Sequence, residues 1–311
     1  MRVVFIGTGE IGVPVLRSLA NSKEHELVGV ITQPDKPVGR TQRIEAPPIK
    51  KAAAEIAAPI LQPERIKRAE AVAAIRALAP ELIVVMAYGQ ILPRAVLEIP
   101  SIACLNLHAS LLPRHRGAAP IQSAIVAGDH ESGITVMYMD EGLDTGDILR
   151  QSRIEIAQDE TGGSLHARLA QIAPAALDEA LLQLQKGTAR RVPQNSSLAT
   201  YAPKLEREDG RIDWAESVTL IERKIRAFNP WPGAFAMLRH EADRERKLKI
   251  FSAKAVAADK AAPGEVLRSD DAIVIAASDG ALSLGEVQLE GKRRMAAAEF
   301  LRGSSATLRV G

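Results

Sequence analysis

Hydrophobic and polar positions follow two different rhythms along this chain, and the change between them separates two folding units. Over the first 187 residues, apolar runs at 2–6, 26–32, 81–86, 102–107 and 133–139 alternate with helical periodicity around 13–20, 48–56, 68–78 and 118–127. Strands that alternate with helices imply a parallel sheet, whose members are buried on both faces and read as unbroken apolar runs. Helical character returns over 165–186 and stops at Gly187. A polar stretch, 188–203, then leads into a different pattern. Val218, Ile221, Ile225 and Phe228 recur at helical spacing, so their stripe reads as core. Short strands follow at 247–255, 264–267, 272–276 and 282–289, with Asp270-Asp271 and Asp279-Gly280 as turns and a last helix at 296–302. That spacing suggests a small closed barrel. The expected organisation is a Rossmann-like α/β domain over 1–187, a linker over 188–203 and a β-barrel domain over 204–311.

Composition narrows the class. A length of 311 residues accommodates two domains of ordinary size, and 46% hydrophobic with 25% charged residues is the mix of a globular protein. No apolar stretch reaches the ~20 residues of a membrane-crossing helix. The opening strand lacks the basic region and cleavage site of a secretion signal. With a single cysteine as well, the expected compartment is the cytoplasm. Charge leaves nucleic-acid binding open, because residues 201–311 carry 19 basic and 17 acidic side chains. Phosphate contacts there would need a local patch, such as Arg244, Arg246, Lys247 and Lys249 or Lys292-Arg293-Arg294, unless these are simply solvated. Trp214 and Trp231 read as packing residues.

The most distinctive chemistry lies at the end of the 102–107 run. Asn106 and His108 are two residues apart, so in a strand both side chains leave on the same face. In an open parallel sheet the carboxyl ends of strands are where ligands sit. The one thiol, Cys104, falls inside the apolar run and reads as core. There is no HExxH, CxxC or other metal-ligand spacing, and Ser110 has no GxSxG surroundings. What remains for the pair is polarisation of a carbonyl, the amide and a protonated imidazole donating to an oxygen that turns negative. That is acyl transfer with no covalent enzyme intermediate. A proton acceptor is offered by Met139-Asp140-Glu141-Gly142-Leu143-Asp144-Thr145-Gly146-Asp147, where Asp144 lies between two glycines at which the backbone can bend. The competing reading of this loop is a solvated acidic turn.

A second motif points elsewhere. Gly7-Thr8-Gly9-Glu10-Ile11-Gly12 joins a strand run to a helical stretch as a dinucleotide fingerprint does, which would favour an NAD-dependent oxidoreductase. Against this, Asp35 stands beyond Pro34 in a loop rather than at a strand end, so the glycines are expected to serve a tight turn. The loop 33–48 is too polar to bury and reads, on its own, as a mobile surface loop.

Asn106-x-His108, the run Ser110-Leu111-Leu112-Pro113-Arg114-x-Arg116-Gly117-Ala118-Ala119-Pro120-Ile121-Gln122, and Gly142-Leu143-Asp144-Thr145-Gly146-Asp147 resemble the active-site signatures of formyltransferases that use 10-formyltetrahydrofolate. Gln33-Pro34-Asp35-x-Pro37-x-Gly39-Arg40, Ala87-Tyr88-Gly89, Arg211-Ile212-Asp213-Trp214 and Ala227-Phe228-Asn229-Pro230-Trp231-Pro232-Gly233 extend the resemblance over nearly the whole length to the methionyl-tRNA formyltransferase family. It implies that Asn106, His108 and Asp144 are catalytic. It also implies that Ser110, Leu111, Leu112 and Pro113 bind the folate, with Tyr88, Ile91, Leu92 and Asp140 where the pterin is expected. Lys36, Arg40 and Arg43 would contact tRNA, and the second domain would be OB-like and bind tRNA. The implied reaction moves a formyl group from 10-formyltetrahydrofolate, a co-substrate, to the α-amino group of methionine on initiator methionyl-tRNA, with no tightly bound cofactor, no metal and no membrane. Gly9 and Ile11 depart from the family's usual proline and aromatic residue. Alternatives are a sister enzyme that formylates an amino sugar nucleotide, against which Phe228-Asn229-Pro230-Trp231 and Ala119-Pro120-Ile121-Gln122 speak, and a non-catalytic RNA-binding protein or the oxidoreductase above, neither of which would bind folate.

Overall fold

In the computed structural model, described over residues 1–39, 42–239, 245–268, 272–302 and 309–310, the chain divides into two compact units. One comprises Met1–Pro120, Glu131–Glu155 and His166–Pro203, the other Ile121–His130, Ile156–Leu165 and Lys204–Gly311.

The first unit is built on a seven-stranded sheet in the order Ile148–Glu155, Glu131–Tyr138, Ala103–His108, Leu82–Met86, Arg2–Gly7, Glu26–Ile31, Ile60–Leu61. From Ala103–His108 outward the neighbours are parallel, as the apolar runs imply. Val3 to Ile6 and Leu82 to Val84 are fully buried, and burying each such side chain contributes about 1.5–3 kcal/mol. The 133–139 run does not continue the parallel pattern: Glu131–Tyr138 lies antiparallel to Ala103–His108. The chain leaves Ala103–His108 at its carboxyl end, and the next strand of the sheet enters from that same end.

The glycine turn after the first strand is closed by its own backbone. Thr8 N–H and Gly9 N–H both donate to the Ala87 carbonyl at 3.2 Å, and a Cβ on Gly7 would lie 2.8 Å from the Met86 carbonyl oxygen. The amides a dinucleotide phosphate would need are committed to the neighbouring strand's end. Asp35 is held by Gln62 at 2.8 Å and by Lys50 at 2.8 Å, contacts that keep its carboxyl below the usual carboxylate range. The glycines therefore serve close packing between two strands, and the oxidoreductase reading loses both of its supports.

In the second unit, Ser217 caps the helix Val218–Ala227, its Oγ accepting from the Leu220 N–H at 3.2 Å. That helix places Ile221 and Ile225 in a core with Trp214, Leu248, Ile250, Ile275, Leu282 and Val287. The β-domain is an antiparallel sheet ordered Val266–Arg268, Val274–Ala277, Gly280–Leu289, Glu245–Val256, Phe235–Arg239, Arg309–Val310. Irregular register around Ser252 bends its longest strand. The Phe235–Arg239 strand is absent from the sequence reading, because it follows directly on the Pro- and Gly-rich stretch 230–233. The turn assigned to Asp270-Asp271 lies outside the described residues. Trp231 corrects an expectation: it stands 48% exposed on a turn closed by Gly233 N–H to the Phe228 carbonyl, whereas Trp214 is buried. Among the described residues, no helix is long and apolar enough to cross a membrane.

Candidate active site

Asn106 and His108 leave the end of the Ala103–His108 strand toward the turn that carries Asp144. Asp144 Oδ1 is 3.5 Å from Asn106 Nδ2, and its Oδ2 is 3.6 Å from His108 Nδ1. Oδ2 also accepts from the Gly117 N–H at 2.8 Å. The imidazole is 6% exposed, so charge on it interacts in a poorly screened setting. Its other nitrogen, Nε2, lies 2.9 Å from the His115 carbonyl oxygen. A carbonyl only accepts, so Nε2 carries a proton and Nδ1 is the edge left for chemistry.

The backbone around this centre is forced. Asp144 has φ 54° and His115 has φ 59°, left-handed conformations that cost a side-chain-bearing residue of the order of 1–3 kcal/mol. The two glycines flanking Asp144 work differently from the sequence expectation. The sharp bend falls on Asp144 itself, and the glycines provide room: a Cβ on Gly146 would sit 1.7 Å from the Tyr138 carbonyl oxygen, and one on Gly142 would sit 1.9 Å from Thr145 Oγ1. Asp140 closes the same turn, its carboxylate accepting from Thr145 Oγ1 and from the Gly142 N–H.

The stretch Ser110 to Pro113 is buttressed from behind. Buried Thr135 donates from Oγ1 to the Ser110 carbonyl at 2.6 Å and accepts from the Leu112 N–H at 3.1 Å, while Gln151 donates to the Leu112 carbonyl at 2.8 Å. Ser110 and Leu112 are buried, the former donating to the Arg114 carbonyl, so Leu111 and Pro113 are the side chains left partly open. Tyr88 and Leu92 are buried in the core with Val4, Ile6 and Ile83, so their side chains face away from solvent, whereas Ile91 and Leu143 are exposed. Cys104 is buried against Met139, and burial pushes its thiol up to about 12, which leaves no thiolate nucleophile at neutral pH.

Lys36 and Arg43 are exposed on a two-stranded ribbon, Lys36–Val38 against Arg43–Glu45, where the sequence reads as a loop. Directly opposed residues share a face, so the Lys36–Glu45 and Val38–Arg43 pairs put both cations on one side. Arg40 lies outside the described residues, as does Arg244. Of the other basic candidates in the second unit, Arg293 pairs with Glu299, Arg294 with Glu286, and Lys247 lies 3.5 Å over the Phe235 ring. No group of three or more His, Cys, Asp or Glu able to hold a metal occurs among the described residues. Sequence reading misses Thr135, Gln151 and Gln194, which act on backbone groups and carry no periodic or motif signal.

Comparisons with known proteins identify the family of both domains. Residues 1–181 match the formyl transferase family and residues 204–305 match the formyl transferase C-terminal domain. The methionyl-tRNA formyltransferase of Akkermansia muciniphila is 47% identical over 305 residues, covering 97% of this chain and 96% of that protein. That of Geobacter sulfurreducens is 45% identical, covering 97% and 94%. Among solved structures, HypX from Aquifex aeolicus in complex with tetrahydrofolic acid superposes with a TM-score of 0.62 at 21% identity, over 97% of this chain and 47% of its own, so this chain spans about half of HypX. The N-formyltransferase from Helicobacter canadensis, in complex with folinic acid and dTDP-3-aminofucose, gives a TM-score of 0.65 at 17% identity, over 93% of this chain and 100% of its own. Those two show a shared fold. With both formyl transferase domains matched in order, and nearly half its residues identical to full-length relatives, the chain is an enzyme of the formyl transferase family, in its methionyl-tRNA formyltransferase branch.

Proposed function

We propose that the protein transfers the formyl group of 10-formyltetrahydrofolate to the α-amino group of methionine esterified to initiator tRNA. The observation that carries this reading is the convergence of Asn106, His108 and Asp144 at one strand end, in a chain whose full-length relatives bear that activity in their names.

The folate supplies the formyl group as an amide on N10, and the carbonyl oxygen of that amide becomes negative on attack. Asn106 Nδ2 and His108 Nδ1, which flank the Asp144 carboxylate, are the donors to that oxygen in this reading. Because Nε2 keeps its proton on the His115 carbonyl, donation from Nδ1 requires the imidazolium form, and Asp144 faces that charge. The incoming α-amino group has an ordinary pKa of about 7.7–8.0, lowered by the adjacent ester, so much of it is neutral near pH 7. As its nitrogen bonds to the formyl carbon it gains a proton too many, which Asp144 accepts directly or through one water. That proton returns to N10 as the carbon–N10 bond breaks, leaving a neutral formamide and neutral tetrahydrofolate. The enzyme's work is positioning and charge stabilisation. Exposed Ile91 and Leu143 offer apolar surface to a flat ring, and Leu111 and Pro113 offer the remaining edge.

On the tRNA side, the ribbon cations Lys36 and Arg43, with Arg40 beside them in sequence, contact the phosphate backbone. Arg43→Ala is expected to raise the KM for charged tRNA while leaving that for folate unchanged, and to reduce the salt dependence of log kcat/KM by about one unit. An equal change in both KM values would count against a tRNA contact. The second domain adds further tRNA contact, no cofactor is retained between turnovers, and the site of action is the cytoplasm, where initiation takes place. The test of the whole reading is a formylation assay with labelled 10-formyltetrahydrofolate. Label should pass to initiator methionyl-tRNA and not to a dTDP-linked amino sugar, and transfer to the sugar alone would overturn the assignment.

A further inference from the structure

We propose that Gln194, in the segment expected as a linker, is a positioning residue for Asp144. The inference rests on the reading of Asp144 given above.

Residues 191–202 lie along the first unit and are fastened to it at several points. Arg191 stacks 3.8 Å from the Tyr138 ring centroid. Val192 exchanges both backbone hydrogen bonds with Ile148, at 2.8 and 3.0 Å. Thr200 Oγ1 accepts from the His115 N–H at 2.8 Å, and Tyr201–Ala202 pairs in parallel with Arg116–Gly117. In the middle of this strap, Gln194 makes four hydrogen bonds to nitrogen and oxygen partners at once, and its Nε2 also lies 4.0 Å from Met137 Sδ. Its Nε2 donates to the Asp144 carbonyl at 2.9 Å and to the Gly146 carbonyl at 2.8 Å. Its Oε1 accepts from Arg116 Nε at 3.1 Å and Nη2 at 2.7 Å.

These partners are the backbone of the turn that carries Asp144 and the side chain of the residue next to the amide that holds its carboxylate. Arg116 immediately precedes Gly117, whose N–H fixes Oδ2, and the Asp144 carbonyl belongs to the residue whose φ of 54° turns the loop. One amide therefore ties the turn to the strand opposite it, so that carboxylate and amide donor move as a unit. Gln194 makes no hydrogen bond to Asn106 or His108, so its effect passes through Asp144.

The two ends of the amide are separable by mutation. Gln194→Glu keeps an acceptor for Arg116 but presents oxygen to two carbonyls, and Gln194→Met removes donor and acceptor together. If donation to the Asp144 turn matters, both variants should lower kcat by about 10- to 100-fold, the scale of an ångström-level misplacement of a reacting group. KM for folate and for charged tRNA should change by less than about threefold, the signature of an interaction felt in the transition state. Added to Asp144→Asn, Gln194→Met should cost almost nothing more, since residues acting as a unit are non-additive. Recovery of parental kcat by Gln194→Glu would overturn the proposal in favour of a purely structural partner for Arg116. So would multiplicative losses in the double variant, or Gln194→Met at parental kcat while Asp144→Asn is severely impaired. If Asp144→Asn itself keeps parental kcat, the underlying reading of Asp144 falls, and the proposal with it.

Discussion

Replacing His108 with alanine is expected to lower kcat for formyl transfer by about 10²–10³-fold, the usual cost of removing one preorganised donor to a developing oxyanion. KM for folate should change little, because in the proposed reaction Nδ1 donates to an oxygen whose charge appears only during attack. The imidazole is well suited to this loss being specific. It is 6% exposed, and its Nε2 is anchored on the His115 carbonyl at 2.9 Å, so its removal leaves Asp144 facing an uncharged space. Steady-state kinetics with both substrates varied would read this out, and kcat within a few fold of the parent would show that the oxygen is stabilised elsewhere.

Gly146→Ala is expected to be nearly as damaging although residue 146 takes no part in the chemistry. A Cβ there would lie 1.7 Å from the Tyr138 carbonyl oxygen, which belongs to a strand end and has nowhere to go. The turn must move instead, taking Asp144 away from the Gly117 N–H and from His108. A displacement of about 1 Å is enough for a loss of about 10² in kcat, with an overpacking penalty of about 1–3 kcal/mol in stability. Gly187→Ala is the matching control. Gly187 has a more demanding backbone, φ 66°, but nothing within 4 Å of the added atom, so it should cost some stability and no turnover. Parallel measurements of kcat and thermal midpoint on the two variants separate room from conformation as the reason for glycine at 146. Equal turnover in both would remove the steric argument.

The parallel core and the strand end bearing Asn106 and His108 were legible in the sequence because burial on two faces leaves continuous apolar runs, and a two-residue spacing on a strand fixes which side chains share a face. The direction of Glu131–Tyr138 was not legible, since a helix between two strands reads as a crossover whether or not it spans the sheet. The sequence puts the bend on the glycine neighbours of Asp144, because glycine signals both freedom and space, and the fold shows that here it supplies space. Tyr88 and Leu92 illustrate the same limit: the motif that names them gives their position in the chain, while their side chains pack into the core. Gln194 lies in a polar stretch with no periodicity, and its role depends on carbonyls some 50 residues away in sequence.

The most direct test of the convergence of Asn106, His108 and Asp144 is a structure with folinic acid or another formylated folate bound. The formyl oxygen should lie within hydrogen-bond distance, about 2.7–3.2 Å, of both Asn106 Nδ2 and His108 Nδ1, with the Asp144 carboxylate on the side from which an amine would arrive. A formyl group seated away from both donors, or approached from the Nε2 edge of His108, would contradict the account.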